Sequence, residues 1–237
     1  MRVRSLLNLG FVGLIVSGIP ALISAQSATG SAASKPSSAS QPQKPTSRDS
    51  ALDPGIVTNG VYRNKSLGLS YKIPDGWVLR TEEMNAREEE SDSKPTEQKL
   101  SPQGTQGSTE SDSKGRVLLA AFSRPPEAKG EEVNASIVIA AESVATYPGL
   151  KEAAQYFGPL TEVATAQGFA ADEEPYEIAV GPKTLVRGDF HKDIGSRVMR
   201  QSTLAFLARG YAISITVIGG TEDEVEDLID EVTFVGK

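Results

Sequence analysis

Cysteine is absent from this 237-residue chain, and histidine and tryptophan occur once each. Without thiols there is no disulfide, no thiolate nucleophile, no zinc–thiolate cluster and no iron–sulfur site. A lipid-modified N-terminal cysteine is excluded on the same ground, and stability must come from a core of ordinary size. A serine nucleophile would have to use the single histidine, His191, as its base, and no Gly-x-Ser-x-Gly elbow offers such a serine. Phosphate-cradling loops are missing too: neither Gly-x-Gly-x-x-Gly nor Gly-x-x-x-x-Gly-Lys occurs. Positive charge is scarce, with 24 Lys and Arg against 31 Asp and Glu and a formal net charge of −7. An acidic chain is poorly suited to nucleic acid or to anionic lipid surfaces.

What is present begins with a leader-like segment. Arg2 and Arg4 precede an uncharged run from Leu6 to Ser24, and Ala25 supplies a small residue for cleavage before Gln26. Residues 1–25 therefore read as a signal peptide, and the protein as exported, either periplasmic or secreted. The run approaches the ~20 residues that span a bilayer, so an uncleaved N-terminal anchor is the alternative. Asn8, Gly10, Gly13, Gly18 and Pro20 weigh against it, and no other membrane contact is expected. Removing Arg2 and Arg4 with the leader takes the net charge from −7 to −9. Residues 26–55 are mostly Ser, Ala, Gln, Pro, Lys and Thr, which bury too little surface to offset chain entropy, and read as a disordered tether. Residues 82–115, with Glu88-Glu89-Glu90 and Ser-Asp-Ser-Lys at 91–94 and 111–114, read as a disordered insertion. Its Met84–Glu90 portion suits a helical turn or two. The folded domain is then 56–237, interrupted by this insertion.

Within the domain, Leu67, Leu69, Tyr71 and Ile73 alternate with Gly68, Ser70 and Lys72, the pattern of a strand with one buried face. Pro74-Asp75-Gly76 ends it, and Trp77 opens the next apolar run. Arg116–Phe122 and Ala135–Ala141 are near-continuous apolar runs, as in strands covered on both faces. A helix is expected from Pro148, with Leu150, Ala153, Ala154 and Phe157 at helical spacing, broken or kinked at Gly158-Pro159 and resumed over Leu160–Gln167. Strands over 176–180 and 184–191 follow. A long hairpin then pairs 197–208 with 211–218 across Arg209-Gly210. Thr221 and Glu224 make a capping box before a helix whose Val225, Leu228, Ile229 and Val232 form one stripe. The apolar tail 233–235 is expected to pack back on the sheet. Short turns between strands imply antiparallel pairing, and strands covered on both faces imply helices on each side. The fold class expected is α+β.

Tyr62-x-Asn64 followed by Gly68-Leu-Ser-Tyr-Lys-Ile-Pro-Asp-Gly-Trp77 resembles the opening of PsbP-like domains. The later Arg187-Gly-Asp-Phe190 strand, Gly210-Tyr211 inside the long hairpin and the capped final helix ending in Phe234 resemble the second half of that family. The resemblance covers roughly residues 57 to 235 without the insertion. It implies a mostly antiparallel sheet sandwiched by helices, and a non-enzymatic role in partner binding or assembly. It supplies no catalytic residue.

Two sets of residues are candidates for function. Asp189, His191 and Asp193 share one face of a strand, where two carboxylates and an imidazole could hold a divalent cation; the alternative is a solvated outer face. No other cofactor is expected. The terminal helix carries Glu222, Asp223, Glu224, Glu226, Asp227, Asp230 and Glu231 and no basic residue. Acids in its first turn suit the helix dipole, whereas Asp230 and Glu231 gain nothing from it. With Asp227 they form either a solubility face or a docking surface for a basic protein partner. Tyr71 and Trp77 are expected in the core. The leading expectation is an exported, non-catalytic domain acting through protein–protein contacts in envelope assembly or stabilisation. A small-ligand or divalent-metal-binding module near Asp189 and His191 is the alternative, and a carboxylate hydrolase a third reading.

Overall fold

The computed structural model describes residues 52–92, 115–128, 130 and 132–235. The leader at 1–25, the tether as far as 51, and 93–114 of the insertion lie outside the described residues. The chain opens with three short strands, β1 (Ile56–Thr58), β2 (Val61–Asn64) and β3 (Leu69–Lys72). Tyr62 and Asn64 are buried and tie down the residues before β1. The Tyr62 hydroxyl donates to Pro54 O at 3.0 Å, and Asn64 Nδ2 donates to Asp53 O at 2.6 Å. Asn64 Oδ1 accepts from Ser66 Oγ and from the Leu67 amide, which shapes the turn into β3. Residues 52–55 therefore belong to the fold, although composition places them in the tether.

Past β3, the amide of Trp77 donates to Pro74 O across a turn whose Gly76 has φ +82°, a conformation that favours glycine. β4 (Val78–Leu79) follows, and then α1 (Thr81–Asp92), a 12-residue helix. The start of the insertion is thus a full helix rather than a turn or two. It is anchored by Met84, which packs on Val117, Ala120, Phe122 and Val138. Asn85 adds two bonds to the backbone of Val117, at 2.9 and 3.0 Å.

β5 (Arg116–Phe122), β6 (Ser136–Ser143), α2 (Ala153–Ala166), β7 (Ala170–Ala171), β8 (Tyr176–Val180), β9 (Lys183–Ile194), β10 (Arg197–Ala208), β11 (Tyr211–Gly219), α3 (Glu222–Asp230) and β12 (Val232–Phe234) complete the order. All pairings are antiparallel. The large sheet runs β4-β5-β6-β11-β10-β9-β7, with β8 also on β9; the small sheet runs β1-β2-β3-β12. The sequence suggests one sheet, but the structure has two, because the C-terminal tail pairs with β3 rather than with the long hairpin. The architecture is α+β and mostly antiparallel.

Period-two patterning assigns the two faces of the large sheet. Ile137, Ile139, Leu204, Phe206, Ile213, Ile215 and Val217 face the small sheet and α3, joining Tyr62, Tyr71, Leu228, Ile229 and Phe234 in the main core. Trp77 packs against this core at its margin, half-buried. Lys183 ties the two sheets together: its ammonium lies 4.6 Å from the Phe206 ring and 4.8 Å from Phe234, and donates to Leu67 O. α3 is capped as expected at Thr221, whose hydroxyl accepts from the Glu224 amide; the Glu224 carboxylate reaches one residue further back, to the Gly220 amide.

The opposite face carries α1 and α2. The second helix starts at Ala153 rather than at Pro148, because Gly149 takes φ +95° and interrupts any helix there. Glu152 and Gln155 form its capping box. It passes through Pro159 without ending, held on both sides of the proline by buried Tyr156, Phe157 and Ala164. Phe157 presses on Gly188 so closely that a Cβ there would lie 2.5 Å from its ring. Gly188→Ala should therefore lower unfolding stability by about 1–3 kcal/mol through overpacking, read as a reduced denaturant midpoint; an unchanged midpoint would show that α2 can shift freely.

Candidate functional site

The helix-covered face of the large sheet is built from small and polar residues. Ala205, Ala212, Ser214, Thr216, Thr203, Gln201 and Glu142 occupy the alternate positions of β10, β11 and β6. Register places them in rows: Thr203 opposite Thr216, Ala205 opposite Ser214, and Ala212 opposite Glu142. Alanines let α2 approach closely at one end, where Tyr156 and Phe157 pack on Ala205 and Ala212. Further along, the hydroxyls and the amide floor a cleft between α2 and the sheet, walled by Leu160, Val163 and Ala164. Thr203 Oγ1 and Thr216 Oγ1 are 3.1 Å apart, and Gln201 Nε2 is 3.5 Å from Thr203 Oγ1.

Glu142 closes one end of this floor. It is only 8% exposed, and the Tyr147 hydroxyl donates to its Oε2. The Tyr156 hydroxyl meets both Glu142 and Ser214. The two tyrosine rings form an edge-to-face pair with centroids 5.4 Å apart at 71°. Burial raises the Glu142 pKa above 4.5, against the opposing effect of the two tyrosine hydrogen bonds. Burial together with the nearby carboxyl also pushes the Tyr147 and Tyr156 phenols upward. The inner cleft has a volume of about 50 Å³ and opens beside an outer dish of about 400 Å³, lined by Tyr147, Pro148, Leu150, Tyr156 and Pro159. The cleft and the dish share Tyr147, Tyr156 and Pro159, and Glu142 with the row of hydroxyls lies on the inner side.

None of these residues was singled out by sequence pattern. The available signal was the polar intrusion at alternate positions of otherwise apolar strands, Gln201 and Thr203 in one and Ser214 and Thr216 in the next. Glu142, following Ala140-Ala141, was the other clue.

Asp189, His191 and Asp193 do lie along β9, but each has a separate setting. Asp189 accepts from Arg187 Nε at 2.9 Å and from the Tyr176 hydroxyl at 2.8 Å. His191 Nδ1 contacts Asp172, and Asp193 is exposed. Among the described residues no group of three or more His, Asp or Glu side chains is arranged to hold a metal. On α3, Asp227 and Asp230 are exposed, while Glu231 lies 3.7 Å from Lys72. Glu226 receives Arg187, which lies between it and Asp189 and thereby links α3 to β9 and β8.

Several solved structures are similar in fold. LpqN of Mycobacterium tuberculosis, described as involved in cell envelope biogenesis, matches with 11% identity over 71% of this chain and 83% of its own, at a TM-score of 0.33. The Ran-binding protein Mog1p of Saccharomyces cerevisiae matches with 12% identity over 74% and 85%, at 0.34. No protein-family model and no curated protein matches the chain. Among the described residues, no helix is long and apolar enough to cross a membrane.

The buried carboxyl makes stability depend on pH in a definite direction. A folded-state pKa above the ordinary value means the fold favours the protonated form. That contribution is complete below the ordinary value of 4.5 and is lost as pH rises through the raised pKa. Glu142→Gln should therefore raise the melting temperature at neutral pH and leave a smaller difference in acid. A variant melting below the wild type at pH 7 would contradict the placement of this group.

Proposed function

We propose that this domain is a non-catalytic binding module, exported by its N-terminal segment, that docks a basic protein partner on the acidic surface of α3 and the adjoining β8–β9 edge. One observation carries the reading: Arg187 joins Glu226 of α3 to Asp189 of β9, so the acids of the helix and of the sheet edge form one continuous surface. Burial disfavours the guanidinium charge, but its bonds to Glu226 and Asp189 outweigh this and raise its pKa. The surroundings stay strongly acidic. Asp223, Asp227 and Asp230 on the helix, and Glu173 and Glu174 just before Tyr176, are exposed. Like charges held this close cost stability, and a cationic surface relieves that cost while steering the encounter.

The single histidine is engaged with Asp172 at the sheet edge, and the buried carboxyl of Glu142 is bonded by neutral phenols. The contact role is accordingly in assembly or stabilisation outside the cytoplasm, as the leader-like segment indicates.

Reversing Asp227→Lys and Asp230→Lys together leaves the buried stripe of α3 intact. The pair should abolish salt-sensitive capture of the partner from envelope extracts while keeping unfolding stability to within about 0.5 kcal/mol of the wild type. Capture that survives the reversal, or that ignores salt, would overturn the docking reading.

A further inference from the structure

The cleft under α2 points to a ligand of its own, independent of the acidic docking face. Glu142 is the only charged side chain that lines it among the described residues. No Lys, Arg or His of the lining supplies a counter-charge, and the groups bonded to the carboxyl, Tyr147 and Tyr156, are neutral. Ala212 faces Glu142 from β11 without charge. Arg116 of β5 pairs with the neighbouring Ala141 and is exposed. A buried carboxylate with hydrogen bonds but no ionic partner attracts a cation strongly, because the Coulomb term is largest where water is excluded.

We propose that this cleft binds a protonated alkylamine, with its ammonium group on Glu142 and its apolar body in the outer dish. The charge sign follows from the single carboxylate, which repels anions. The shape follows from the two volumes. An inner space of about 50 Å³ admits a small head group, and the dish of about 400 Å³ between Tyr147, Pro148, Leu150, Tyr156 and Pro159 takes a short hydrocarbon or ring. An ammonium group carries three donors. One meets Glu142, and the hydroxyl of Ser214, one same-face row along the floor, is an acceptor for another. The edge-to-face tyrosines add ring surface at the entrance, where a cation is favoured over a neutral isostere. A divalent metal fits poorly, since one carboxylate and two neutral phenols fall short of an oxygen-ligand set.

The test is calorimetric titration of the purified full chain with n-butylammonium, with n-butanol as the neutral match. Saturable binding of the amine and none of the alcohol is expected. Affinity should rise with pH as Glu142, whose pKa burial raises, becomes ionised, and fall above about pH 10 as the amine loses its proton. Glu142→Gln should weaken binding by at least about tenfold, the scale of one lost charge-assisted bond. Asp227→Lys, on the far side of the sheet, should leave it unchanged. In the wild-type chain the amine should also shift the NMR resonances of the Tyr147 and Tyr156 rings, a readout that needs no variant to fold. Equal binding of amine and alcohol, retained affinity in Glu142→Gln, or an equal loss in Asp227→Lys would each overturn the proposal.

Discussion

The alternation of side chains along β6, β10 and β11 is the constraint on which the rest of the molecule depends. One set of alternate positions, Ile137, Ile139, Leu204, Phe206, Ile213, Ile215 and Val217, is continuous hydrocarbon and can only be stable under a matching apolar layer. The small sheet and α3 provide that layer, with Tyr71, Leu228, Ile229 and Phe234 as contacts. The intervening positions cannot form the same kind of core. Apart from Val138, Leu207 and Ile218 they are small or polar, so the helices above them meet mainly alanine and glycine where they pack closely and hydroxyls where they do not. A shift of register by one residue would exchange the two faces and bury the polar row under α3. The long hairpin, paired continuously from Arg200↔Gly219 to Ala208↔Tyr211, prevents this. Its turn is set by Arg209 and Gly210, both at positive φ.

Glu142 is where this division has its greatest physical consequence. A carboxyl buried beside two phenols is a cost to the empty fold whenever it ionises, because desolvation outweighs the hydrogen bonds it accepts. The surrounding architecture holds it there regardless: β6 fixes its position, the segment after β6 supplies Tyr147, and α2 supplies Tyr156. α2 keeps its course through Pro159 because its buried residues on either side of the proline are pinned to the sheet. A buried, desolvated carboxyl held by rigid elements is a functional-site candidate on physical grounds. The acidic surface of α3 differs in kind. Its charges are solvated and individually cheap, and their effect comes from number and proximity rather than burial.

Local features were legible in the sequence, and long-range ones were not. The strand at 69–72, the turn at Pro74-Asp75-Gly76, the hairpin at Arg209-Gly210 and the Thr221 cap all follow from spacing and turn chemistry within a few residues. The roles of Tyr62 and Asn64 could be quoted as a motif, but their function as a clamp on residues 53–55 needed the packed structure. The second sheet was hidden because β12 pairs with β3 from the other end of the domain, a contact no local pattern encodes. The start of α2 was misplaced because proline at 148 suits a helix start, while the positive φ of Gly149 overrides it. The α3 acids were visible as composition, yet their union with Asp189 through Arg187 was not. The cleft was least legible of all, since Glu142, Tyr156, Thr203 and Ser214 come from four elements and meet only through sheet register.

The helix-side face of the sheet encloses a carboxyl that has no cationic partner among the described residues. A site-specific NMR titration of the Glu142 side-chain carboxyl in the ligand-free chain tests it most directly. The expected midpoint lies clearly above the ordinary 4.5, because burial disfavours the ionised carboxyl. A midpoint at or below 4.5 would mean that the group is solvated or already ion-paired, and would contradict it.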